Sequence, residues 1–439
     1  MKRLVGIRRE DKNRWERRVP LSPKQVEELK RNYPIDFVVQ SSPIRIFPDE
    51  AYLNVGASVR ETLSPCPVIF AVKEIPVDLL EPKKTYVFFS HTIKGQPHNM
   101  PMLKKIMSLG CQLIDYERFV DDSGRRLIAF GRFAGLAGMI ESLVALGKRL
   151  NWEGIRNPFV ELRHAYQYES LEQAKMALTN VGKKIETDAL PRSITPLICG
   201  IAGYGNVSRG TQEILDCLPI LEIAPEEISS VINSSDYSKN RIYKVVFKEK
   251  DIVEPTSSDA QFNLQDYYKN PGRYRPKFSQ YLPYLTVLIN AIYWEKRYPR
   301  LVTKKGLKRL YEIEKRPRLR IIGDISCDIE GAIECTTHTA EPDEPFFVYN
   351  PFNGQTTKGY EGMGPVIMAV DNLPCEFSAE SSTSFGEALK AYVPSIVLAD
   401  YSLSFEDCDL PPVIKRATIV YHGELTQNYR YLEGFLEGS

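Results

Sequence analysis

The sequence predicts an α/β protein with two domains, each built on a parallel sheet. Short apolar runs alternate with amphipathic segments over the first 130 residues, which is typical of parallel strands covered by helices on both faces. An apolar strand, a glycine-rich turn and a helix follow one another within residues 194–218. The chain has 439 residues, of which 43% are hydrophobic and 26% charged, so it is long enough for two or three domains.

The apolar runs place the elements of the first domain. Strands are predicted at "RLVGI", "FVVQ", "VIFAV", "YVFFS" and "QLIDY". A helix is predicted to begin after Ser22 with Pro23 at its first position, because Val26 and Leu29 follow at helical spacing. A longer helix over 133–152 carries small residues near its start. We expect it to pack closely against a neighbour and to link the two domains.

The second domain is predicted to begin with the strand before the glycine turn. Further strands are expected at 244–247, 286–294 and 320–326. Residues 250–283 are rich in Pro, Tyr and polar side chains, which predicts a surface insertion over the cofactor rather than core. The tail over 365–400 shows a strand-like start and a helix opened by Ser384, and its pattern alone does not assign it to either domain.

Composition limits the classes of partner. Lys plus Arg number 57 and Asp plus Glu number 56, leaving a net charge of +1, so neither a nucleic-acid nor an anionic-membrane partner is predicted. Eight scattered cysteines and five histidines lack metal-ligand spacing. We therefore predict no metal site, and we expect reduced thiols. No apolar run reaches the roughly 20 residues that span a bilayer. A small charged metabolite fits this composition best.

The glycine turn predicts a Rossmann dinucleotide site. "GYGNVSRG" supplies Gly203, Gly205, Ser208 and Gly210 between a strand and a helix. The first glycine allows the tight turn, the second lets the backbone approach a pyrophosphate, and the helix N-terminus supplies N–H donors. Ser208 stands where the third glycine would allow close packing.

Coenzyme choice is less sharply indicated by the residues. Glu222 lies near the spacing at which an acid binds the ribose hydroxyls of NAD, but the strand is expected to end at Ala224. That end leaves room for a 2′-phosphate, with Lys239, Arg241 or Lys244 as counter-charges. Solvated surface charge is the equally weighted alternative for each of these three cations.

Ionisable residues follow several of the first domain's apolar runs. Lys73, Glu74, His91 and Glu117 would gather at one edge of a parallel sheet, joined by strand-end arginines that can pair with carboxylates. A structural histidine and surface arginines are the alternatives. Crowding of several ionisable groups is nevertheless what perturbs pKa values at functional sites.

At this point the chain resembles a known family. "GIRREDKNRWERRVPLSP", "YVFFSHTIKGQPHNMPML", "GRRLIAFGRFAGLAGMI", "LINAIYWEKRYPRLVT" and "GDISCDIEGAIECT" look like the lysine–ketoglutarate reductase domain of α-aminoadipic semialdehyde synthase. More distantly, the chain is similar to fungal saccharopine dehydrogenase, alanine dehydrogenase and the transhydrogenase nucleotide-binding subunit. The resemblance implies condensation of L-lysine with 2-oxoglutarate and reduction by NADPH to saccharopine, the first step of lysine degradation. NADH is the alternative coenzyme.

The resemblance also implies roles for individual residues. It places the acid–base pair at Lys73 and His91, and the substrate pocket at Arg8, Glu74, Gln96, Glu117, Arg126 and Phe130. It places the coenzyme at Arg125, Gly203, Tyr204, Gly205, Asn206, Val207, Ser208, Ala291, Gly323, Asp324, Ile325 and Ser326.

The domain organisation implied by the resemblance uses both ends of the chain. Residues 1–133 plus 365–439 would form the substrate domain, which is alanine-dehydrogenase N-terminal-like. Residues 134–364 would form the Rossmann dinucleotide-binding domain, with the active site in the cleft between them. The protein would work alone or with a saccharopine dehydrogenase domain, in the mitochondrial matrix if a presequence is removed and otherwise in the cytoplasm. Alanine-dehydrogenase-like reductive amination and a catalytically silent NADP(H)-binding regulatory module are the alternative functions.

Overall fold

The structure, a computed structural model, describes residues 2–436. It divides the chain into two compact units. The first unit takes in the two ends of the chain, up to Phe130 and from Ser378 onward, and the second unit is Gly131–Phe377.

The first unit opens with alternating strands and helices. The helix α1 begins after Ser22 with Pro23 at its first position and buries Val26 and Leu29, as predicted. The strands β4 and β5 are buried along their whole length, which is why they read as continuous apolar runs. The elements are β1 (Arg3–Ile7), α1 (Pro23–Asn32), β2 (Ile35–Gln40), α2 (Asp49–Asn54), β3 (Ser58–Arg60), β4 (Val68–Phe70), β5 (Thr85–Phe88), α3 (Met100–Ser108) and β6 (Gln112–Asp115).

The second unit is built on an eight-stranded sheet. Its elements are α4 (Gly131–Trp152), α5 (Leu171–Asp188), β7 (Leu197–Ala202), α6 (Asn206–Leu215), β8 (Ile220–Glu222), α7 (Ile228–Asn233), β9 (Ile242–Phe247), α8 (Glu249–Ile252), β10 (Val253–Pro255), α9 (Leu264–Lys269), β11 (Tyr274–Pro276), β12 (Val287–Asn290), α10 (Lys304–Ile313), β13 (Ile321–Asp324), β14 (Phe346–Tyr349), β15 (Thr356–Lys358) and β16 (Val366–Met368). The strand order is β15-β14-β16-β13-β12-β7-β9-β8. The strands from β16 to β8 are parallel, and β14 and β15 are antiparallel.

The tail returns to the first sheet. It contains α11 (Ser378–Leu389), α12 (Val393–Leu398), α13 (Pro412–Ala417), β17 (Thr418–Tyr421), β18 (Glu424–Leu425) and α14 (Glu433–Leu436). Because β17 pairs antiparallel with β6, the first sheet has the order β18-β17-β6-β5-β4-β1-β2-β3. The helix predicted to open at Ser384 begins six residues earlier. Residues 365–377 lie in the second unit because β16 pairs in parallel with β13.

The predicted α/β class with two largely parallel sheets is confirmed. The prediction for residues 250–283 is wrong in part. This segment carries β10, α9 and β11, and Phe278, Tyr267 and Tyr274 are buried in a core cluster of the second unit. A Pro- and Tyr-rich composition conceals this contribution because tyrosine buries its ring and keeps its hydroxyl paired.

The long helix α4 packs closely within the second unit, against α6. A Cβ at Gly135 would lie 2.0 Å from the Val207 carbonyl oxygen, and a Cβ at Gly210 would lie 2.0 Å from the Arg132 carbonyl oxygen. These two glycines therefore set the approach of the helices. All eight cysteines are free. Within residues 2–436, none of the helices combines the length and the apolar character needed to cross a bilayer.

Candidate active site

The first unit collects ionisable side chains where three adjacent strands end. Lys73 and Glu74 follow β4, His91 follows β5 and Glu117 follows β6. These strands are parallel neighbours in the sheet, so their carboxyl ends meet at one edge. We call Lys73, Glu74, His91, Glu117 and Arg126 the strand-end cluster.

His91 lies between two carboxylates. Its Nε2 is 3.7 Å from Glu74 Oε1, and its Nδ1 is 3.9 Å from Glu117 Oε1. Burial lowers the pKa of His91, Lys73 lowers it further, and the two carboxylates oppose the shift. The imidazole is therefore neutral at pH 7 and can accept a proton. The φ of His91 is +49°, a conformation that costs a non-glycine residue about 1–3 kcal/mol and is typical of functional positions.

Lys73 is placed by a buried carboxyl group. Its amide N–H donates to Glu10 Oε2 at 3.0 Å, and the N–H of Val72 donates to Glu10 Oε1 at 2.7 Å. Burial raises the pKa of Glu10 to about 7. Burial also lowers the pKa of Lys73, and the charges of Arg18 and Lys12 lower it further. Glu10 thus fixes the backbone at the end of β4, where Lys73 begins.

Two further predicted substrate residues are Arg126, which contacts the cluster, and Gln96, which lies in the same loop as His91. Arg126 Nη2 donates to Glu117 Oε1 at 2.9 Å, and the Arg126 side chain is about half exposed. Gln96 follows in the loop after β5, and its buried Oε1 has no hydrogen-bond partner. An unpaired buried oxygen costs about 1–3 kcal/mol. A bound donor, such as an ammonium group, would remove that cost.

Arg8 does not join the cluster. Its guanidinium binds the Asp11 carboxylate through contacts of 2.5 and 3.3 Å and donates to the Arg9 carbonyl at 2.6 Å. The side chain is buried, with 6% of its surface exposed. Both Nη groups are paired within its own loop, so the arrangement gives no support to the predicted role of Arg8 as a carboxylate anchor.

Arg18 acts on the cluster instead, since its charge lowers the pKa of Lys73, and the sequence did not predict this role. Its Nε and Nη2 contact the buried Glu16 carboxylate at 2.7 and 2.5 Å. Its guanidinium carbon lies 4.2 Å from the centre of the Phe130 ring, which stacks on Phe385. The available signal was the two-residue spacing of Glu16 and Arg18, which places both side chains on one side of an extended chain.

A second buried carboxyl group ties the strand ends together. Asp115 accepts the N–H of Glu117 at 2.7 Å, and it accepts both the N–H and the hydroxyl of Ser90. Burial raises the pKa of Asp115 to about 7. The ends of β5 and β6 are therefore joined through one side chain directly beneath the cluster.

This arrangement can transfer protons next to a carboxylate-binding group. Burial lowers the pKa values of both His91 and Lys73, which favours the form of each side chain that can accept a proton. Arg126 offers a guanidinium that can pair with a carboxylate. The cluster therefore suits chemistry on a substrate that carries an amine or a carbonyl group together with carboxylates.

In the second unit, the glycine turn has the geometry that a dinucleotide needs. The φ of Gly203 is +102°, and a Cβ there would lie 2.8 Å from the Ala291 carbonyl oxygen. Gly205 precedes α6, and a Cβ there would meet nothing within 4 Å. The first turn of α6, formed by Asn206, Val207 and Ser208, has N–H groups without intrahelical partners. These residues fit a pyrophosphate.

A cavity of about 400 Å³ opens beside this turn. Tyrosines from the segment 250–283 form part of its wall. Glu249 Oε1 accepts the hydroxyl of Tyr268 at 2.6 Å and that of Tyr204 at 3.3 Å. The lining residues are Gly203, Tyr204, Gly205, Phe247, Lys248, Glu249, Ile252, Tyr267, Tyr268, Ala291, Ile292, Tyr293, Trp294, Tyr298 and Pro299.

The strand that neighbours β7 differs from the one that spacing predicted. β9 pairs with β7, and β8 lies at the sheet edge beyond β9. The argument from Glu222 and Ala224 is therefore wrong, because these residues end an edge strand. Lys244 is also unsuited to a 2′-phosphate, since its ammonium is buried and contacts Glu222 and Asp216 at 3.0 and 2.9 Å.

The two other proposed counter-charges lie at the wrong end of their strand. Lys239 and Arg241 precede β9, at its amino end, whereas ligands of open α/β sheets bind at the carboxyl ends. Lys248 and Glu249 follow β9 at its carboxyl end and line the cavity. They take the place that sequence spacing assigned to Glu222.

The remaining predicted coenzyme residues lie in three different surroundings. Ala291 lines the cavity, whereas Asp324 is buried and accepts from Asn290 and Thr336 at 2.8 and 2.6 Å. Within the same "GDIS" motif, Gly323 packs against α4, Ile325 is buried, and the Ser326 hydroxyl donates to a backbone carbonyl. In the first unit, Arg125 is 78% exposed and binds Asp121, and its coenzyme role stays a prediction.

Comparison with known proteins places the chain. The model of the alanine dehydrogenase/PNT N-terminal domain matches residues 6–137. The α-aminoadipic semialdehyde synthase of Arabidopsis thaliana is 40% identical over 98% of this chain and 41% of its own length. The mitochondrial α-aminoadipic semialdehyde synthase of Bos taurus is 36% identical over 99% of this chain and 48% of its own length. The chain therefore spans less than half the length of these curated relatives.

Solved structures agree on the fold. An L-alanine dehydrogenase covers 99% of this chain, and this chain covers 99% of it, with a TM-score of 0.62 and 17% identity. At that identity the likeness concerns the fold alone. The identities of 36–40% over nearly the whole sequence show that the chain is homologous to a part of α-aminoadipic semialdehyde synthase.

Proposed function

We propose that this chain condenses the ε-amine of L-lysine with the ketone of 2-oxoglutarate and reduces the product to saccharopine with NADPH. The observation that carries this proposal is the strand-end cluster, in which Lys73 and His91 have lowered pKa values beside Glu74 and Glu117. The homology to α-aminoadipic semialdehyde synthase supports the same chemistry.

The reaction needs two proton carriers. A free lysine amine has a pKa of about 10.4, so it must lose a proton before its nitrogen attacks the ketone carbon. The resulting carbinolamine must gain a proton before water leaves and the C=N bond forms. Lys73 and His91 share these two transfers in our proposal. A bound nicotinamide coenzyme supplies the hydride that reduces the C=N carbon to the secondary amine of saccharopine.

The charged neighbours of Lys73 and His91 affect both the pKa of His91 and the binding of the substrates. Glu74 and Glu117 raise the pKa of His91 against the effect of burial, and they would also attract the ammonium form of the lysine substrate. We propose that Arg126 anchors a carboxylate and that the unpaired Oε1 of Gln96 accepts a substrate N–H. Arg126 is a charged donor and Gln96 Oε1 is a neutral acceptor, so each would orient a different group of the substrates.

We propose that coenzyme selection depends on Lys248 and Glu249. Glu249 Oε1 already accepts two phenol hydroxyls, whereas Lys248 adds a cationic side chain to the cavity lining directly after β9. Lys248 would thus pair with the 2′-phosphate of NADPH. Lys248→Ala should raise the Kd of NADPH about tenfold and leave that of NADH unchanged. An unchanged Kd for NADPH, with tighter NADH binding in the wild type, would instead assign Glu249 to the ribose hydroxyls of NADH.

Coenzyme oxidation tests the reaction itself. NADPH should be consumed only when lysine and 2-oxoglutarate are both present, and saccharopine should appear in equal amount. Lys73→Met should lower turnover about 100-fold and leave the Kd of NADPH within twofold, with Lys83→Met, a lysine of the same unit outside the cluster, as the control.

Other outcomes would replace this proposal. Oxidation with pyruvate and ammonium, and none with lysine, would assign alanine-dehydrogenase-like reductive amination. NADPH binding without turnover on either substrate set would assign the silent regulatory module. Wild-type turnover in Lys73→Met would remove Lys73 from the acid–base pair.

We further propose that a saccharopine dehydrogenase, fused or separate, consumes the product. The bovine relative is described as mitochondrial, and we propose the mitochondrial matrix for this chain if a presequence is removed and the cytoplasm otherwise. Cell fractionation with an antibody to this chain tests the compartment. A rise in net flux when purified saccharopine dehydrogenase is added tests the coupling.

A further inference from the structure

The loop that carries His91 and Gln96 is held by a segment from the far end of the chain. This segment consists of the 3₁₀ helix 427–432 and α14. The Tyr431 hydroxyl donates to the Ile93 carbonyl at 2.6 Å. The Phe435 ring packs on Gly95 so closely that a Cβ at Gly95 would lie 2.4 Å from it. Both contacts fall between His91 and Gln96 in sequence.

The segment is itself anchored beside the strand-end cluster. The Tyr429 side chain is buried, and its hydroxyl donates to the Arg416 carbonyl at 2.6 Å and accepts from Arg118 Nε at 2.9 Å. Leu432 is fully buried in the core of the first unit. Arg118 directly follows Glu117, so the anchor and the cluster share one turn of chain at the end of β6.

The loop needs such support because its backbone is strained. His91 has a positive φ of +49°, whereas the positive φ of Gly95, +65°, is one that glycine adopts freely. A non-glycine residue keeps this conformation only where its surroundings fix it. Inside the unit, the Asn99 amide donates to the His91 carbonyl at 3.1 Å. Tyr431 and Phe435 fix the residues between these points from the opposite end of the sequence.

We propose that Tyr431 and Phe435 are positioning residues that hold His91 and Gln96 in their reactive geometry. The inference rests on the proposed function, because it assigns the consequence to proton transfer by His91. Tyr431 and Phe435 meet this loop at the Ile93 carbonyl and at Gly95. They therefore act through the loop backbone rather than on the substrate.

Kinetics of the double variant Tyr431→Phe/Phe435→Ala, in the full chain, test the inference. The value of kcat should fall about tenfold, since small displacements of a reacting group are costly. The Kd of NADPH should stay within twofold. The single variant Phe435→Leu, in which Tyr431 is unchanged, should keep most of the wild-type kcat. Tyr33→Phe/Leu53→Ala, which alters two exposed side chains of the same unit, is the matched control and should keep the wild-type rate.

A measurement without turnover separates this inference from the proposed function. Amide hydrogen exchange at residues 92–96 should be at least tenfold faster in the double variant than in the control. NMR titration, with His91→Gln to assign the resonance, should show the pKa of His91 moving toward its ordinary value. If exchange and titration match the control, the inference is overturned. If the wild type forms no saccharopine but exchange is faster in the variant, the proposed function fails and the positioning of the loop stands.

Discussion

The glycine turn yields a prediction that separates coenzyme binding from stability. Gly205→Ala should weaken coenzyme binding and leave the fold intact. The φ of Gly205 is −79°, which alanine adopts freely, and an added Cβ would meet nothing within 4 Å. That Cβ would instead occupy the space in front of α6, where a pyrophosphate must approach the backbone.

The two magnitudes follow from this geometry. The free energy of unfolding should fall by no more than about 1 kcal/mol. The only expected cost is that alanine is less favourable than glycine at the N-cap position of a helix. The Kd of NADPH should rise at least tenfold, which corresponds to about 1.4 kcal/mol. The change should affect NADPH and NADH alike, because both carry the pyrophosphate.

Gly210→Ala provides the opposite case on the same helix. Its Cβ would lie 2.0 Å from the Arg132 carbonyl oxygen and 3.0 Å from the Leu136 nitrogen. Both are backbone atoms of α4, so the two helices must separate by ~1 Å, and overpacking of this kind costs about 1–3 kcal/mol. Gly272→Ala, whose Cβ meets nothing within 4 Å, is the control for both variants.

Urea unfolding and NADPH fluorescence titration measure the two quantities on the same samples. Gly205→Ala should match the control in unfolding and differ from it in Kd. Gly210→Ala should have a lower free energy of unfolding than the control. If Gly205→Ala bound NADPH as tightly as the wild type, the pyrophosphate would not lie at this helix terminus, and the assignment of the turn would be refuted.

Two further predictions concern buried charge. Glu376 is buried, and burial followed by the charge of Glu141 raises its pKa well above the ordinary value. The folded state keeps this proton when the unfolded chain has lost it, so stability falls as pH rises above about 4.3, by up to about 1.4 kcal/mol per pH unit. Glu376→Gln should be neutral at pH 4 and stabilising at pH 8 in urea unfolding, and a parallel pH dependence in both proteins would contradict this. Arg18→Lys should lower kcat about tenfold because lysine cannot make both contacts to a carboxylate, whereas Arg8→Lys should change only stability, and equal kinetic effects would restore Arg8 to the site.

The sequence predicts most of the first unit's site because its signals are local. β4, β5 and β6 are apolar runs, and the residue that ends each run is visible in the sequence. Parallel order then brings Lys73, His91 and Glu117 together without any knowledge of packing. Arg18 was missed because its position depends on a buried pair with Glu16 and on the Phe130 ring. Contacts of that kind appear only once the chain is folded.

The coenzyme strand was missed for a different reason. The spacing rule assumes that the helix after the glycine turn leads directly to the neighbouring strand. In this chain, β8 and α7 intervene between α6 and β9, and β8 lies at the edge. The rule therefore selected Glu222 when the strand end that lines the cavity carries Lys248 and Glu249. An apolar run of the right length is not enough to identify a neighbour in a sheet.

The two buried carboxyls beneath the cluster connect its geometry to its proton balance. Glu10 holds the end of β4 and Asp115 holds the ends of β5 and β6, and both have a pKa raised to about 7 by burial. Below pH 7 they are neutral, so burial costs little and the backbone bonds remain. Above pH 7 each adds a negative charge close to Lys73 or His91. Such charges raise the pKa of both proton carriers. The cost in stability comes earlier, between about pH 4 and pH 7, because over that range the folded state holds protons that the unfolded chain has already lost. The groups that position the acid–base pair therefore also limit the pH range over which that pair can work.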